Sequence, residues 1–378
     1  MIGCTKLMLN AAEGGARSSD DRRIHYSEHV GPVIVWNVTH QCNLACPHCY
    51  IDADSRAFNH ELTFKEARAL IDDAATLCSP AILFSGGEPL LRDDICELSA
   101  YATSRKLRVG LSTNGTLITR DVAKRIADAE VSYVGVSIDG TESTHDAFRK
   151  KRGAFASALK GLKNARDAGI KTGIRFTVHK RNIFDLPAVM DLLVTHRIPR
   201  FCLYHLVYAG RADAAMDISN EERAQMMGYL IRRVPALAAN GVEVLTTDNH
   251  ADGIYIMQST AGAYREEQMR LLRAHGGCTA GSKIISVDPE GDVRPCQFWR
   301  GETVGNIRDR PLTELWNRPK ELLALLRDKK SKLTGRCGLC KYVEMCGGCR
   351  VRAAASGDIW GDDPSCYLSE KTVRGEGA

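Results

Sequence analysis

Six short apolar runs, separated by longer amphipathic stretches, constrain the fold of this chain more than any other feature. Each run is rich in Val, Ile, Leu or Phe, which is typical of strands buried on both faces of a parallel sheet. Repeated strand–helix units predict an α/β fold, here a partial (β/α)6 barrel of the TIM type whose ligands bind at the C-terminal ends of the strands. The predicted strands are Val33–Val38, Ala81–Phe84, Arg108–Ser112, Ser132–Ser137, Gly173–Val178 and Arg200–Leu206.

Helices are predicted between and after these strands. Capping boxes, in which a Ser or Thr is followed three residues later by a Glu, begin two of them at Thr63 and Ser219. Glycines end two of them, because glycine readily adopts the left-handed conformation that closes a helix. The predicted helices span residues 63–77, 154–168 and 219–240.

Composition changes towards the C-terminus. Residues from about 271 onward are richer in Gly and Cys and poorer in long helices, which is typical of a small domain held together by metal rather than by a large core. The predicted segments are an N-terminal extension (1–32), the barrel (33–210), a helical bridge (211–270), a Cys-rich domain (271–369) and a tail (370–378).

Cysteine content and charge limit the class of protein. The chain has 378 residues, 14 cysteines and a net charge of +5, and no apolar run approaches the ~18 residues that span a bilayer. The first residues lack the pattern of a signal peptide, so we expect a cytoplasmic protein with no membrane partner. Its cysteines are then expected to serve metal or redox chemistry rather than disulfides. The modest, dispersed charge argues against nucleic acid as a partner.

Three cysteines directly follow the first predicted strand. Cys42, Cys46 and Cys49 have the spacing Cys-x₃-Cys-x₂-Cys, with no fourth cysteine nearby. Closed zinc sites and closed iron–sulfur clusters normally take four protein ligands. The triplet therefore favours a cluster with one open iron, and the alternative is a zinc site that takes a distant fourth ligand.

Polar residues follow the next three strands as well. Gly86, Gly87 and Glu88 come after the second strand, Ser112 and Asn114 come at the end of the third, and Ser137 ends the fourth. Gly-Gly-Glu-Pro alone is also typical of an ordinary loop. Because the C-terminal ends of parallel strands meet at one rim, these residues together predict a ligand site beside the cysteines.

This triplet, the Gly-Gly-Glu-Pro motif and the six-unit partial barrel resemble the radical S-adenosylmethionine (radical SAM) enzymes. In that family the three cysteines hold a [4Fe-4S] cluster, its open iron binds S-adenosylmethionine, and one-electron reduction yields a 5′-deoxyadenosyl radical. The resemblance implies the following cofactor-binding residues: Gly86, Gly87 and Glu88 at the methionyl amino group, Ser112 and Asn114 at the ribose or carboxylate, Ser137 on the same rim, Arg175 at the methionyl carboxylate and His48 near the adenine.

A second set of cysteines resembles the SPASM extension of radical SAM enzymes, which carries one or two auxiliary [4Fe-4S] clusters. By resemblance, one cluster would take Cys337, Cys340, Cys346 and Cys366, and a second would take Cys278, Cys296 and Cys349 with a missing or non-cysteine ligand. The family usually has three residues where this chain has only Gly347 and Gly348, which weakens the second assignment. A zinc ribbon is the alternative for this segment.

Several stretches resemble a narrower group, the 12,18-didecarboxysiroheme deacetylases of the alternative haem pathway and their relatives in nitrite-reductase haem synthesis. These stretches include Tyr204–Arg211, Asp248–Gly253 and Gln297–Arg300. The implied reaction removes acetate side chains from an iron porphyrinoid and yields iron-coproporphyrin III. The catalytic candidates are Tyr204, His205 and His250, the two histidines as iron ligands or proton carriers, and the candidate partners of substrate carboxylates are Arg149, Arg211 and Arg300.

Other functions remain open from the sequence. Deacetylase-like sequences often lack thiols at positions 278 and 296, so a haem-forming radical SAM decarboxylase or a maturase of a ribosomal peptide or partner protein is an alternative. A peptide maturase often has a separate domain ahead of the barrel, and only about 32 residues precede the first strand here. A non-catalytic metal scaffold is the third candidate. A radical enzyme would also need a low-potential electron donor such as ferredoxin or flavodoxin.

Overall fold

A computed structural model describes residues 1–10, 31–260 and 264–376. The predicted segments 1–32, 211–270 and 370–378 therefore lie partly outside the described residues. The strands are β1 Ile2–Gly3, β2 Val33–Asn37, β3 Ala81–Ser85, β4 Arg108–Thr113, β5 Tyr133–Ser137, β6 Thr172–Val178, β7 Arg200–His205, β8 Glu243–Thr247, β9 Ile284–Val287, β10 Asp292–Arg294 and β11 Gly305–Asn306.

Helices connect most of these strands. The α-helices are α1 Phe64–Thr76, α2 Ile95–Ser104, α3 Arg120–Asp128, α4 Glu142–Arg149, α5 Ala154–Asp167, α6 Leu186–Thr195, α7 Asn220–Ala239, α8 Ala251–Ser259, α9 Arg265–His275, α10 Leu312–Asn317, α11 Glu321–Arg327, α12 Lys329–Lys332, α13 Gly335–Gly338, α14 Arg350–Ala355 and α15 Glu370–Arg374. Short 3-10 helices span Pro89–Leu91, Ile183–Asp185 and Ala214–Met216, and a π-helix spans Lys6–Asn10. Within the described ranges, no helix is both long enough and apolar enough to cross a membrane.

All strands belong to one 11-stranded sheet with the order β1-β8-β7-β6-β5-β4-β3-β2-β9-β10-β11. Strands β2 to β8 pair in parallel with their neighbours in chain order, as successive strand–helix units require. The α/β fold with a parallel sheet is therefore confirmed, and each of the six predicted strands is present within one residue at either end.

The predicted helical bridge over 211–270 contains a strand that the sequence did not reveal. Strand β8 pairs in parallel with β7 on one side and with the two-residue strand β1 on the other. Its five residues include only Val244 and Leu245 as apolar side chains, which is too short a pattern to distinguish a strand from a loop. The parallel series therefore has at least seven members rather than six, and the bridge is not purely helical.

The Cys-rich segment joins the same sheet. Strand β9 pairs in parallel with β2, so that Val33 lies opposite Ile284 and Trp36 lies opposite Val287. Strands β10 and β11 follow as antiparallel neighbours. Because β2 leads directly into the cysteine triplet, this pairing holds the C-terminal segment beside the rim of the barrel.

Both predicted capping boxes are present. The Thr63 side chain accepts a hydrogen bond from the Glu66 backbone N–H, and the Glu66 side chain accepts one from Thr63 in return. Ser219 and Glu222 form the same reciprocal pair at the start of α7. These pairs satisfy backbone donors that helix starts leave open.

Candidate active site

The three cysteines of the triplet converge on a cavity of about 920 Å³ at the C-terminal ends of the strands. Hydrogen bonds fix their loop: the Cys42 N–H donates to Asp54 O at 2.6 Å, and Arg211 Nε donates to Cys46 O at 3.0 Å. Burial raises the pKa of the Cys42 thiol to about 12. Such thiols are ligands that a bound iron would deprotonate, which is the chemistry that a cluster site needs.

Gly86 and Gly87 line the cavity and pack directly against the cysteine loop. Gly86 has φ +130, and a Cβ there would lie 2.7 Å from Thr39 O. A Cβ on Gly87 would lie 2.2 Å from Gln41 O. No other residue type fits at either position without moving the loop, because real Cβ atoms do not approach so closely.

Glu88 lies behind the rim and is not among the cavity-lining residues. Its buried carboxylate accepts hydrogen bonds from Thr113 Oγ1 at 2.6 Å, from the Asn114 N–H at 2.8 Å and from the Leu90 N–H at 3.2 Å. These donors link the carboxylate to the end of β4 and to the backbone of Asn114. Its contact with the methionyl amino group stays a prediction.

The other predicted rim residues meet in the same cavity. Ser112, Asn114 and Ser137 line it where β4 and β5 end, together with Arg175 from β6. The Asn114 side chain donates to Asn43 Oδ1 at 2.8 Å, which links the third rim position to the cysteine loop. The structure therefore brings the predicted cofactor-binding side chains together, Glu88 excepted.

A buried charge network lies beside the cysteine loop. Arg149 lines the cavity and donates to Asp139 Oδ2 at 2.9 Å and 2.5 Å. Burial alone would raise the pKa of Asp139, but the charge of Arg149 holds it below its usual value. Burial lowers the pKa of His48 to about 4, so this cavity-lining imidazole is neutral, and its buried Nδ1 atom has no hydrogen-bond partner among the described residues.

Arg175 carries a charge into the cavity. Its guanidinium lies 4.6 Å from the centroid of the Tyr204 ring, and among the described residues it forms no ion pair with a carboxylate. Arg211 also lines the cavity, but it donates to the backbone carbonyls of Cys46 and Ala53. Arg175 is therefore the cavity cation with the greatest capacity to bind a ligand carboxylate.

Three of the predicted substrate residues have surroundings that the sequence did not reveal. His205 lines the cavity, and both its ring nitrogens have partners, with Nε2 2.9 Å from Asp252 Oδ2 and Nδ1 2.8 Å from Arg223 Nη1. His250 lies outside the cavity lining at the start of α8, where burial lowers its pKa to about 3. Arg300 is exposed and also lies outside the lining. Charged or imidazole side chains near a motif can be structural, and the sequence alone did not distinguish these cases.

Asp248 and Phe298 are among the cavity-lining residues that were not predicted as site residues. Asp248 lines the cavity directly after β8, and the missed strand explains the omission. Phe298 lines the cavity and lies edge-on to Tyr50 with 5.3 Å between ring centroids. Phe298 also packs against the buried cluster that contains Cys278 and Cys296.

The C-terminal cysteines form two groups. Cys337, Cys340, Cys346 and Cys366 line a separate cavity of about 380 Å³. The second group consists of Cys278, Cys296 and Cys349. Burial raises the pKa of the Cys296 thiol, and the nearby thiolates of Cys278 and Cys349 raise it further, which indicates that the three side chains lie close together.

The two-residue connection before Cys349 does not keep it from this group. Gly347 and Gly348 both have positive φ, +67 and +59, and turn the chain sharply between Cys346 and Cys349. The Cys349 N–H then donates to Asp363 Oδ2 at 2.7 Å. The shortened spacing therefore remains compatible with a three-thiol second site.

Comparison with known proteins agrees with this arrangement. Residues 36–193 match the radical SAM superfamily, and residues 278–341 match the SPASM iron–sulfur cluster-binding domain. The chain is 43% identical to Fe-coproporphyrin III synthase of Methanosarcina barkeri, across 99% of both chains. It belongs to the radical SAM enzymes.

Further relatives of this radical SAM enzyme are named for different activities. It is 39% identical to pre-heme d1 synthase of Dinoroseobacter shibae over 89% of this chain and 86% of the relative. It is 32% identical to a mycofactocin maturase of Mycolicibacterium smegmatis over 88% and 82%. Streptococcus suis SuiB bound to S-adenosylmethionine has the same fold, with a TM-score of 0.71 and 18% identity over 90% of this chain and 78% of that one.

A radical SAM domain implies a [4Fe-4S] cluster and S-adenosylmethionine, and a SPASM domain implies auxiliary iron–sulfur clusters. The residues present fit these groups. One cavity contains three thiols and two glycines without room for a Cβ. It also contains an Arg and an imidazole nitrogen that have, respectively, no acidic partner and no hydrogen-bond partner in the part of the chain that the structure describes. The four-thiol cavity and the three-thiol group fit auxiliary clusters, the second with one ligand that is not a cysteine.

Proposed function

We propose that this radical SAM enzyme removes acetate side chains from 12,18-didecarboxysiroheme and yields iron-coproporphyrin III. The observation that carries the proposal is the 43% identity to Fe-coproporphyrin III synthase across 99% of both chains. Similarity of this extent covers the cavity walls and the C-terminal domain as well as the cysteine loop.

The cavity supports a large, anionic and partly apolar substrate. It opens at the rim where the cysteine loop and the strand ends meet, as expected where a cofactor and a substrate must come together. Arg175 offers an unpaired cation for a carboxylate, and Leu206, Val207 and Phe298 offer apolar contacts for a tetrapyrrole ring. Side chains that pair with carboxylates and stack on a ring are what an iron porphyrinoid requires.

When bound, the cluster and S-adenosylmethionine would supply radical chemistry at an unactivated carbon. The chain's own residues would determine where this happens. Cys42, Cys46 and Cys49 would hold the cluster, and the rim residues would orient S-adenosylmethionine beside it. His48 is placed to contact the adenine as a neutral ring. Aromatic side chains at Tyr50 and Phe298 would limit access of water to the reacting carbon.

Two alternatives are separated by their products. A haem-forming decarboxylase would remove carbon dioxide from propionate side chains of an iron porphyrin, whereas the proposed reaction removes acetate from an earlier intermediate. A peptide maturase finds support in the 32% identity to the mycofactocin maturase, although that identity is lower than the 43% to the synthase.

The test is conversion of 12,18-didecarboxysiroheme by the anaerobically reconstituted protein with S-adenosylmethionine and a low-potential donor such as reduced flavodoxin. We expect iron-coproporphyrin III by mass spectrometry together with 5′-deoxyadenosine. The matched control replaces Cys42, Cys46 and Cys49 with Ala and should form neither product. Cleavage of S-adenosylmethionine with no change in the porphyrinoid would refute the proposed substrate while leaving the enzyme class intact.

A further inference from the structure

Asp248 combines backbone strain with a position in the cavity wall. It follows the last residue of β8, at the opposite end of the parallel series from β2 and the cysteine triplet. Its φ is +68, a left-handed conformation that residues other than Gly, Asn and Asp rarely adopt. Strain of this kind is maintained only where the surrounding structure imposes it, and it is frequent at functional sites.

The surrounding structure does impose it. Arg352 donates to the Asp248 backbone carbonyl at 2.7 Å and to the Leu206 carbonyl at 3.1 Å. The same guanidinium is locked by Asp363, with contacts of 2.8 Å and 2.9 Å. Next to Asp248, the Asn249 side chain donates to Ser365 O at 2.8 Å. The C-terminal domain thus holds the Asp248 backbone in place.

The Asp248 carboxylate itself lacks a strong partner. Oδ2 is buried with no hydrogen-bond partner among the described residues, and Oδ1 accepts only a 3.3 Å contact from Thr247 Oγ1. Burial raises the pKa of this carboxyl. A buried carboxylate without a partner is costly, and the cost falls when a cation reaches it.

The cavity cations of the protein are already engaged or placed elsewhere. Arg149 is paired with Asp139, and Arg211 donates to the cysteine loop. Arg175 lies over the Tyr204 ring. If the proposed function is correct, the ligand beside Asp248 is a polycarboxylate whose one cationic centre is its iron. The carboxylates of such a substrate suit Arg175, whereas the iron suits an anionic oxygen.

We propose that the Asp248 carboxylate, turned into the cavity that this residue lines, coordinates the iron of the bound porphyrinoid substrate. This assignment rests on the proposed function and replaces the two histidines that the sequence suggested for the same role. His250 lies outside the lining, and both nitrogens of His205 are occupied. With its iron bound at Asp248, the ring would be held from the β8 side of the cavity while the radical forms at the β2 side.

The test measures the substrate iron in the absence of turnover. Ferric 12,18-didecarboxysiroheme is added to the reconstituted protein without S-adenosylmethionine or reductant, and its EPR spectrum is recorded, because oxidised [4Fe-4S] clusters are EPR-silent. Asp248→Asn and Asp248→Gly are suitable variants, since both residues tolerate the left-handed backbone of this position. Iron content equal to that of the wild type shows that the variants are folded and loaded.

The expected result is a change in the g-values of the bound iron in both variants, with affinity weakened about tenfold by loss of a charged partner. Added acetate should restore the wild-type spectrum in Asp248→Gly, which a merely structural role would not produce. Wild-type g-values in both variants would overturn the assignment. A change of g-values in Tyr204→Phe but in neither Asp248 variant would also overturn it. Failure of the wild type to bind any iron porphyrinoid would refute the proposed function itself, and this assignment with it.

Discussion

Replacing Glu88 by Gln tests whether this buried carboxylate acts through the rim rather than on the cofactor. Oε1 accepts from Thr113 and Leu90, and Oε2 accepts from the Asn114 N–H at 2.8 Å. Gln keeps the size of the side chain but has one acceptor oxygen. If that oxygen stays at the Oε1 position, the amide NH₂ faces the Asn114 N–H, and a donor meets a donor.

The magnitude follows from this geometry. One hydrogen bond to a charged group is lost, and a buried backbone donor is left without a partner, at a cost of about 1.5–3 kcal/mol. If Asn114 moves to avoid this unfavourable contact, binding of S-adenosylmethionine must supply the free energy that returns Asn114 to its place in the rim. The dissociation constant should therefore rise roughly 10- to 150-fold.

Equilibrium dialysis of labelled S-adenosylmethionine against the reconstituted protein measures this constant directly. Iron and sulfide content should remain that of the wild type, because Glu88 contacts none of the cysteines. Glu97→Gln is the matched control, since Glu97 is exposed on α2 and should leave the constant unchanged. Affinity within twofold of the wild type, with clusters intact, would refute the positioning role.

Three further changes have expected outcomes of their own. Gly87→Ala places a Cβ 2.2 Å from Gln41 O and should displace the cysteine loop, so that iron content falls by about four atoms per chain. Cys349→Ala should lower the iron count from about twelve to about eight, because it removes one thiol of the three-thiol group. Burial lowers the pKa of His179 to about 4, so the unfolded chain binds more protons than the native one between about pH 4 and pH 6.5, and stability falls as the pH is lowered through that range. His179→Asn should make the pH dependence of the unfolding free energy, measured by urea titration, shallower by at most ~1.4 kcal/mol per pH unit.

Controls for these changes are available in the same chain. Gly228→Ala lies in α7 with no atom closer than 3.5 Å to the added Cβ and should retain all iron. Cys78→Ala removes an exposed thiol outside both sets and should leave the iron count unchanged. An iron count of about eight in both the wild type and Cys349→Ala would show that the three-thiol group holds no cluster. Parallel pH curves for His179→Asn and the wild type would contradict the role given to that imidazole.

The sequence predicted the parts of the fold that have strong local signals. Short apolar runs between amphipathic stretches predicted the six strands to within one residue, and reciprocal capping pairs predicted the starts of α1 and α7. Strand β8 escaped because its pairing with β7 and β1 is a tertiary interaction, whereas its own five residues carry little pattern.

The residues of the site also divide into those with a local sequence signal and those whose role depends on tertiary contacts. The cysteine spacing and the polar strand ends predicted residues that share the cavity, because parallel strands bring their C-terminal ends to one rim. The roles of Glu88, His205 and His250 stay predictions, because they depend on which partners a side chain meets, and those partners are distant in sequence: Asp252, for example, lies 47 residues from His205. Asp248 begins one of the stretches that carry the family resemblance, but its place in the cavity wall depends on the strand before it.

The pairing of β2 with β9 has a consequence for any attempt to separate the two domains. Ile34, Val35 and Trp36 of β2 are almost fully buried, and their backbone groups are matched on one side by β3 and on the other by β9. A chain cut before residue 278 would expose β2 as a long apolar edge, which is the kind of surface that recruits strands from other molecules. The C-terminal domain therefore also protects the barrel against aggregation, and a truncated barrel should be recovered mainly as an insoluble product.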